Sequence, residues 1–192
     1  LFLDLDGTII WTSVKMDQPD ATFEAGNNEE NNEGIPTKYC MKIRPYLKEM
    51  FEALSAIYEI IIFTASTSDY AQKVCQVIDP KRQYISHTLT RKDCSQTKNG
   101  FFIKDLRITG RDLSSVVIVD NLVHSFGLQL DNGIPIIDFK GEDYDKELYY
   151  LTEYLLEIGS FPDKELVERN KHYFRLKDIL KVTLEQTEFQ SQ

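Results

Sequence analysis

Cysteine is scarce and unpatterned in this chain of 192 residues: Cys40, Cys75 and Cys94 cannot all pair with one another, and none lies in a C-x-x-C spacing. That excludes a disulfide-stapled scaffold and a cysteine-rich zinc module, and it fits a reduced, intracellular setting. His87, His124 and His172 are scattered without metal-ligand spacing, so no histidine site is expected. Long apolar runs are missing as well. Nothing approaches the roughly 20 residues that a membrane-crossing helix needs, and no charged stretch precedes an apolar one as in a signal peptide. Positive charge is outnumbered: 22 Lys and Arg against 31 Asp and Glu leave a net charge of −9. Such a surface repels nucleic-acid backbones and anionic lipid as default partners, although a local cationic pocket stays open to it. The chain also lacks an initiating Met and opens inside a strand-like run. The expectation is a fragment, nuclear or cytoplasmic, whose upstream targeting segment is missing from it.

What is present is an ordinary globular balance, 42% apolar and 28% charged residues, in a chain long enough to bury about two thirds of its unfolded surface unaided. Leu1-Phe2-Leu3, Tyr58 to Phe63 (YEIIIF), Val116 to Val119 (VVIV) and Ile134 to Phe139 (IPIIDF) are short apolar runs rich in β-branched residues. They read as buried parallel strands, with Pro135 pointing to an edge position for the last. Between them apolar residues step by three and four. Leu47, Met50, Phe51 and Leu54 do so within residues 44–56; Tyr70, Ala71, Val74, Val77 and Ile78 within 68–78; Leu148, Leu151, Tyr154, Leu155 and Ile158 within 143–158. These spacings predict helices, the first with Pro45 in its first turn and the second capped by Ser68. Strands alternating with helices predict an α/β fold: a doubly wound, mainly parallel sheet with helices on both faces.

Two segments break the alternation. Residues 11–41 contain the polar run Asn27-Asn28-Glu29-Glu30-Asn31-Asn32-Glu33-Gly34, which cannot build a core and predicts a solvated loop or a hairpin tip. This is a short insert after the first strand instead of a large cap, so the crevice at the strand ends stays open to a peptide. Trp11, just beyond that strand, is expected to pack under the insert. Residues 161–192 are charged, with helical periodicity from Leu166 to Leu176. They predict a helical extension packed on a domain of residues 1–160, with a disordered end.

The chemistry concentrates where the strands end. Asp4-x-Asp6-x-Thr8 closes the first strand, and residues two apart on a strand face the same way. Two acids at the ligand edge of a parallel sheet repel each other and call for a proton or a cation, and Mg²⁺ favours carboxylate oxygens together with water and phosphate. Phe63-Thr64-Ala65-Ser66 places hydroxyls at the same edge, Lys104-Asp105 follows the apolar Phe101-Phe102-Ile103, and Asp120-Asn121 follows VVIV. Acids, a hydroxyl, a lysine and an acid–amide pair are the parts needed for phosphoryl transfer through a covalent carboxyl phosphate.

In this order, D-x-D-x-T, F-T-A-S, K-D-L and D-N, the chain resembles the haloacid dehalogenase superfamily. More closely it is similar to the FCP/SCP-type phosphatases, the NLI-interacting-factor-like group that includes RNA polymerase II C-terminal-domain phosphatases. The resemblance runs from about Leu1 to Ile158 and includes Lys42-Ile43-Arg44-Pro45, FTASTSDY from Phe63 to Tyr70, RKDC from Arg91 to Cys94, and KDLRITGRD from Lys104 to Asp112. It implies Asp4 as the nucleophile, Asp6 as general acid and then base, and Thr8 as a substrate-binding residue that shapes the turn and orients Asp6. It implies phosphate contacts from Thr64, Ala65, Arg91 and Lys104. It also implies a Mg²⁺ site built from Asp4, Asp6 through its backbone carbonyl, Asp120 and Asn121. The function implied is Mg²⁺-dependent dephosphorylation of phosphoserine or phosphothreonine in a protein or peptide, with the RNA polymerase II C-terminal domain as a candidate partner. The chain departs from the pattern at Gly7, Val14, Thr67 and Leu122-Val123; the second and third stand where polymerase-tail phosphatases carry bulkier apolar residues. Two alternatives remain: a small-molecule phosphatase of the same superfamily, and a protein-binding module of the same fold with weak catalysis. The cysteines are expected to be small apolar residues and not nucleophiles.

Overall fold

The computed structural model of the chain describes residues 1–26 and 36–180. The polar run from Asn27 to Gly34 and the end of the tail from residue 181 onward lie outside the described residues. In chain order the elements are strand β1 (Phe2–Leu3), strands β2 (Ile10–Ser13), β3 (Ala21–Ala25) and β4 (Thr37–Ile43), and helix α1 (Leu47–Leu54). Then come β5 (Ile60–Phe63), α2 (Ser68–Ile78), β6 (Ile85–Leu89) and a small hairpin, β7 (Ser95–Gln96) and β8 (Phe102–Ile103). Strands β9 (Ile118–Asp120) and β10 (Gly133–Pro135) and helices α3 (Glu147–Gly159) and α4 (Asp163–Phe174) complete it.

Strands β10, β9, β1, β5 and β6 form the central sheet in that order, every neighbouring pair parallel. Their continuous apolar runs are explained by burial on both faces. Side chains alternate along a strand, so Leu1, Leu3, Ile60, Ile62, Val117 and Val119 enter one core with the inner faces of α1, α2 and α3. Phe2, Ile61, Phe63, Val116 and Ile118 enter a second core on the opposite face. There the cover is a series of 3-10 turns within residues 106–109, 113–115 and 123–132, the last broken by non-helical backbone at Phe126 and Gln129, with Leu106 and Phe126 pointing inward. Pro135 sits in β10 at the sheet edge, where a missing N–H breaks no ladder.

Several boundaries differ from the spacing-based expectation for local reasons. Helix α1 starts at Leu47 because Tyr46 adopts a left-handed φ of 69° that no helix can pass through. Helix α2 is capped by Thr67, not Ser68; the Ser68 hydroxyl instead pairs with Thr90 Oγ1 at 2.9 Å. After Pro135 the chain leaves the sheet, and the Phe139 N–H donates to the Gly7 carbonyl at 2.8 Å. The segment after β1 is a three-stranded antiparallel sheet, order β2-β4-β3. It is held to α2 by the ring cluster Phe23, Tyr39 and Tyr70, with centroids 5.3–5.5 Å apart. Trp11 packs against Gly141, where an added Cβ would come within 2.7 Å of the indole.

Helix α4 is pinned into the fold by one side chain. Asn170 is fully buried, donates from Nδ2 to the carbonyls of Asp131 (2.8 Å) and Gly133 (3.0 Å), and accepts from the Tyr154 hydroxyl at 3.0 Å. Asn170→Leu leaves all three partners unsatisfied in a dry site, and urea unfolding is expected to show a loss of about 2–4 kcal/mol.

Candidate active site

The chain order of the strands creates the site. From β1 the sheet grows through β5 to β6 on one side, then returns to β9 and β10 on the other. Loops after β1 and β9 therefore diverge and leave a crevice at the carboxyl ends of the strands. Asp4 follows β1, Asp120 ends β9 and Thr64 follows β5, so three of the expected residues stand at this one edge. Lys104 arrives from outside the sheet, on the turn after the β7–β8 hairpin, with its N–H donating to the Ser125 carbonyl at 2.7 Å.

Lys104 is 2% exposed, and its ammonium donates to Asp4 Oδ1 at 2.5 Å and to Asp120 Oδ2 at 2.6 Å. Burial works against the charge on Lys104, but Asp4 and Asp120 outweigh it and hold the ammonium pKa above the usual lysine value. The second Asp120 oxygen accepts the Leu122 N–H at 2.8 Å. Burial and the Asp4 charge push the Asp120 carboxyl up, against the pull of Lys104. On Asp4, Oδ2 lies 3.1 Å from the Thr8 hydroxyl. Thr8 also lies 3.3 Å from Asn121 Oδ1 and accepts the Asn121 backbone N–H at 3.2 Å. Thr8 thus ties Asp4 to Asn121 and makes no bond to Asp6, which corrects the expectation that it orients Asp6. Its own turn is held from behind by the buried Arg44, which donates to the Thr8 carbonyl at 2.8 Å and forks onto Asp145 at 2.8 and 2.9 Å.

Asp6 sits in a separate cradle. Tyr70 donates its phenolic hydrogen to Asp6 Oδ1, Thr12 lies 3.3 Å from the same oxygen, and Ser66 donates to Oδ2 at 3.1 Å. Burial is the main cause that raises the Asp6 pKa, with the Asp4 charge adding to it and the three hydroxyls opposing. The environment therefore favours a proton on this carboxyl more than an isolated aspartate would have. Thr12 and Tyr70 come from β2 and α2 and escaped the sequence reading, although Tyr70 lies in the FTASTSDY segment. Tyr70→Phe removes a bond to an ionisable group; the expected result is a loss of about tenfold or more in kcat with the fold intact, measured by steady-state kinetics beside circular dichroism.

Thr64 is buried, with Oγ1 accepting the Ser66 N–H at 3.1 Å. Arg91 does not point as a bare cation into the crevice: its Nε donates to the Ala65 carbonyl at 2.8 Å, and its guanidinium lies 5.3 Å from the centre of the Phe102 ring. Arg91 and Ala65 are thereby joined beside Thr64. Cys94 is nearby, but burial pushes its thiol up to about 11, so it stays protonated at neutral pH. All three cysteines are free thiols.

The residues present suit a small hard cation. Asp4 and Asp120 bring two carboxylates together, and Asn121 turns its amide nitrogen to Asp138 at 3.0 Å, which leaves its oxygen on the Thr8 and Asp4 side. Gly7, at φ 79°, opens this space; a Cβ there would lie 2.4 Å from both the Asn121 amide nitrogen and Asp138 Oδ1. Among the described residues no group of three or more His, Cys, Asp or Glu side chains has metal-holding geometry, and the Asp6 carboxylate is engaged elsewhere. Two carboxylates and amide oxygen with room for water is the pattern Mg²⁺ accepts, since it keeps much of its hydration and shares the rest with phosphate. No helix among the described residues is long and apolar enough to cross a membrane.

Comparison with known proteins agrees with this geometry. The model of the NLI interacting factor-like phosphatases matches residues 1–165. "CTD small phosphatase-like protein 3" of Caenorhabditis elegans is 37% identical over 179 residues, covering 93% of this chain and 60% of the relative. "CTD small phosphatase-like protein 2" of Dictyostelium discoideum is 38% identical over 181 residues, covering 94% of this chain and 30% of the relative. The chain thus spans 60% and 30% of the length of these two relatives. A solved structure of Fcp1, described as an essential RNA polymerase II CTD phosphatase, superimposes with a TM-score of 0.73 over 85% of this chain and 63% of that one, at 21% identity, and shares the haloacid dehalogenase fold. With most of its length matched, the chain belongs to the NLI interacting factor-like phosphatase family.

Proposed function

We propose that the chain is a Mg²⁺-dependent phosphatase of phosphoserine or phosphothreonine in proteins, working through an aspartyl phosphate on Asp4. One observation carries the reading: two neighbouring carboxylates at the same sheet edge are held in opposite ways. Asp4 lies against the buried Lys104 ammonium, 2.5 Å from its Oδ1, whereas the Asp6 environment favours a proton. Asp4 attacks phosphorus, the P–O bond to the seryl or threonyl oxygen breaks, and Asp6 gives that oxygen its proton. Asp6, now ionised, takes a proton from the water that attacks the aspartyl phosphate; inorganic phosphate leaves and both carboxyls return to their starting states.

Lys104 balances charge on the transferring group, and Thr64 with the Ala65 backbone and Arg91 forms the wall that receives the phosphate oxygens. Bound between Asp4, Asp120 and Asn121, Mg²⁺ would supply positive charge for the phosphoryl oxygens. The small β2–β4 sheet, which brings Thr12 to Asp6 and is the segment that stands where a cap would be among the described residues, and the relatives named as CTD phosphatases support a protein substrate. The RNA polymerase II C-terminal domain is one candidate. The test is release of p-nitrophenol from p-nitrophenyl phosphate with Mg²⁺, with EDTA, and in Asp4→Asn. Activity is expected only in the wild type with Mg²⁺. A folded, Mg²⁺-binding wild type no more active than Asp4→Asn would leave a binding module, and activity surviving in Asp4→Asn would remove Asp4 as nucleophile.

A further inference from the structure

We propose that the outer edge of β6 and the face of α2 beside it form a docking groove for an extended, acidic segment of the protein substrate, bound as an added strand. Only the identity of the occupant as a substrate rests on the phosphatase reading. Strand β6 ends the central sheet and pairs with β5 alone. Backbone groups alternate sides along a strand, so with the Leu89 carbonyl turned inward to the Thr64 N–H, those of Thr88 face outward; the register against β5 shifts between Ile85 and His87, so Ser86 stands at an irregularity. Ser86, His87 and Thr88 are all exposed. Proteins usually blunt such an edge with proline, charged residues, a bulge or a covering segment; β6 (ISHTL) has the register shift at Ser86 but no proline and no lysine, aspartate or glutamate.

Beside the edge lies a cavity of about 450 Å³, walled by Ser68, Gln72, Cys75 and Gln76 of α2. Its cations are Arg82 and Lys92, and neither is ion-paired among the described residues. Its one acid, Asp79, is 3% exposed and spends its carboxylate on the N–H groups of Gln83, Tyr84 and Ile85, each at 2.9 Å. In a chain of net charge −9 this groove sets two unpaired cations against one acid whose oxygens are already hydrogen-bonded, and an acidic strand is the partner it complements. The groove also leads into the crevice. Thr90 and Lys92 line its upper end, and between them the Arg91 N–H donates to the Ser66 carbonyl at 2.9 Å while the Ser66 hydroxyl holds Asp6. A chain lying along β6 therefore arrives beside the proposed acid.

The probe is a fluorescein-labelled peptide of alternating Glu and Val with one terminal phosphoserine, compared with a twin carrying Gln for Glu. Binding to Asp4→Asn protein, read by anisotropy, needs no turnover. Arg82→Glu with Lys92→Glu is expected to weaken the Glu peptide by about tenfold or more and to leave the Gln twin within about twofold. The same pair of changes in otherwise wild-type protein is expected to leave p-nitrophenyl phosphate hydrolysis unchanged. Added-strand binding is further expected to slow hydrogen exchange at the Thr88 amide. Equal affinity for both peptides, indifference to the charge reversal, or an unprotected Thr88 amide would each overturn the proposal. Groove binding as described in a protein without Mg²⁺-dependent hydrolysis would instead defeat the phosphatase reading and leave an acidic-strand site standing.

Discussion

In Lys104→Met protein, hydrolysis of p-nitrophenyl phosphate is expected to fall by about a hundred- to a thousandfold, the usual cost of removing one preorganised charge from a transition state. The same change is expected to lower stability in EDTA by about 3–5 kcal/mol, because it leaves buried charge without its partner. For a chain of this size that is a fall of roughly 10 °C in Tm. Methionine matches the lysine stem in length, so packing is nearly conserved and the loss is electrostatic. Asp4 and Asp120 each lie within 2.6 Å of the one ammonium; without it they face each other alone. Mg²⁺ offers an alternative counter-charge at the same two carboxylates, so it is expected to raise the Tm of the variant more than that of the wild type. Asp120→Asn added to Lys104→Met is expected to recover stability in EDTA and no activity. Differential scanning calorimetry with EDTA and with Mg²⁺ checks all three. A Lys104→Met protein as stable as the wild type in EDTA would mean that the ammonium is not what allows the two acids to coexist.

The residues of this cluster were legible in the sequence because strand ends are. Asp4 and Asp120 each follow a short apolar run, and a parallel sheet sends all such ends to one edge. Helix α2 was equally plain, since its apolar spacing and its start after a hydroxyl-rich turn agree over residues 68–78. Strand β6 was not: an edge strand exposed along most of its length, at Ser86, His87 and Thr88, carries no hydrophobic signature. The β2–β4 sheet was obscured for a related reason, its strands alternating weakly around a polar stretch while its packing comes from Phe23 and Tyr39 meeting Tyr70 of a distant helix. The same distance hid how the acids are oriented. Thr8 lies two residues from Asp6 and four from Asp4, yet it bonds to Asp4 and to Asn121, 113 residues away, because the turn at Gly7 redirects the chain between them. Arg44 and Asp145, 101 residues apart, likewise had no local signal that joined them.

Asp6→Asn is expected to separate the two halves of the reaction. A phosphoserine peptide releases a strongly basic alkoxide unless a proton reaches it, so turnover of that substrate is expected to fall by about 10³–10⁴, the upper range for a lost general acid. p-Nitrophenolate leaves without help, so the first half of the reaction on p-nitrophenyl phosphate is expected to survive. The second half is not, because the water that cleaves the aspartyl phosphate then has no base. The expected trace is a rapid burst of one p-nitrophenolate per active site followed by a slow steady state, resolved by stopped-flow absorbance. Equal losses on both substrates with no burst would show that Asp6 moves no proton in either half. The change isolates the proton because the cradle tolerates it. An asparagine oxygen can still accept from Tyr70 and Thr12, and its amide can donate to the Ser66 hydroxyl that the carboxylate now accepts from. Geometry is kept and only the transferable proton is lost, which makes the ratio of the two substrate losses a direct reading of what the raised Asp6 pKa is for.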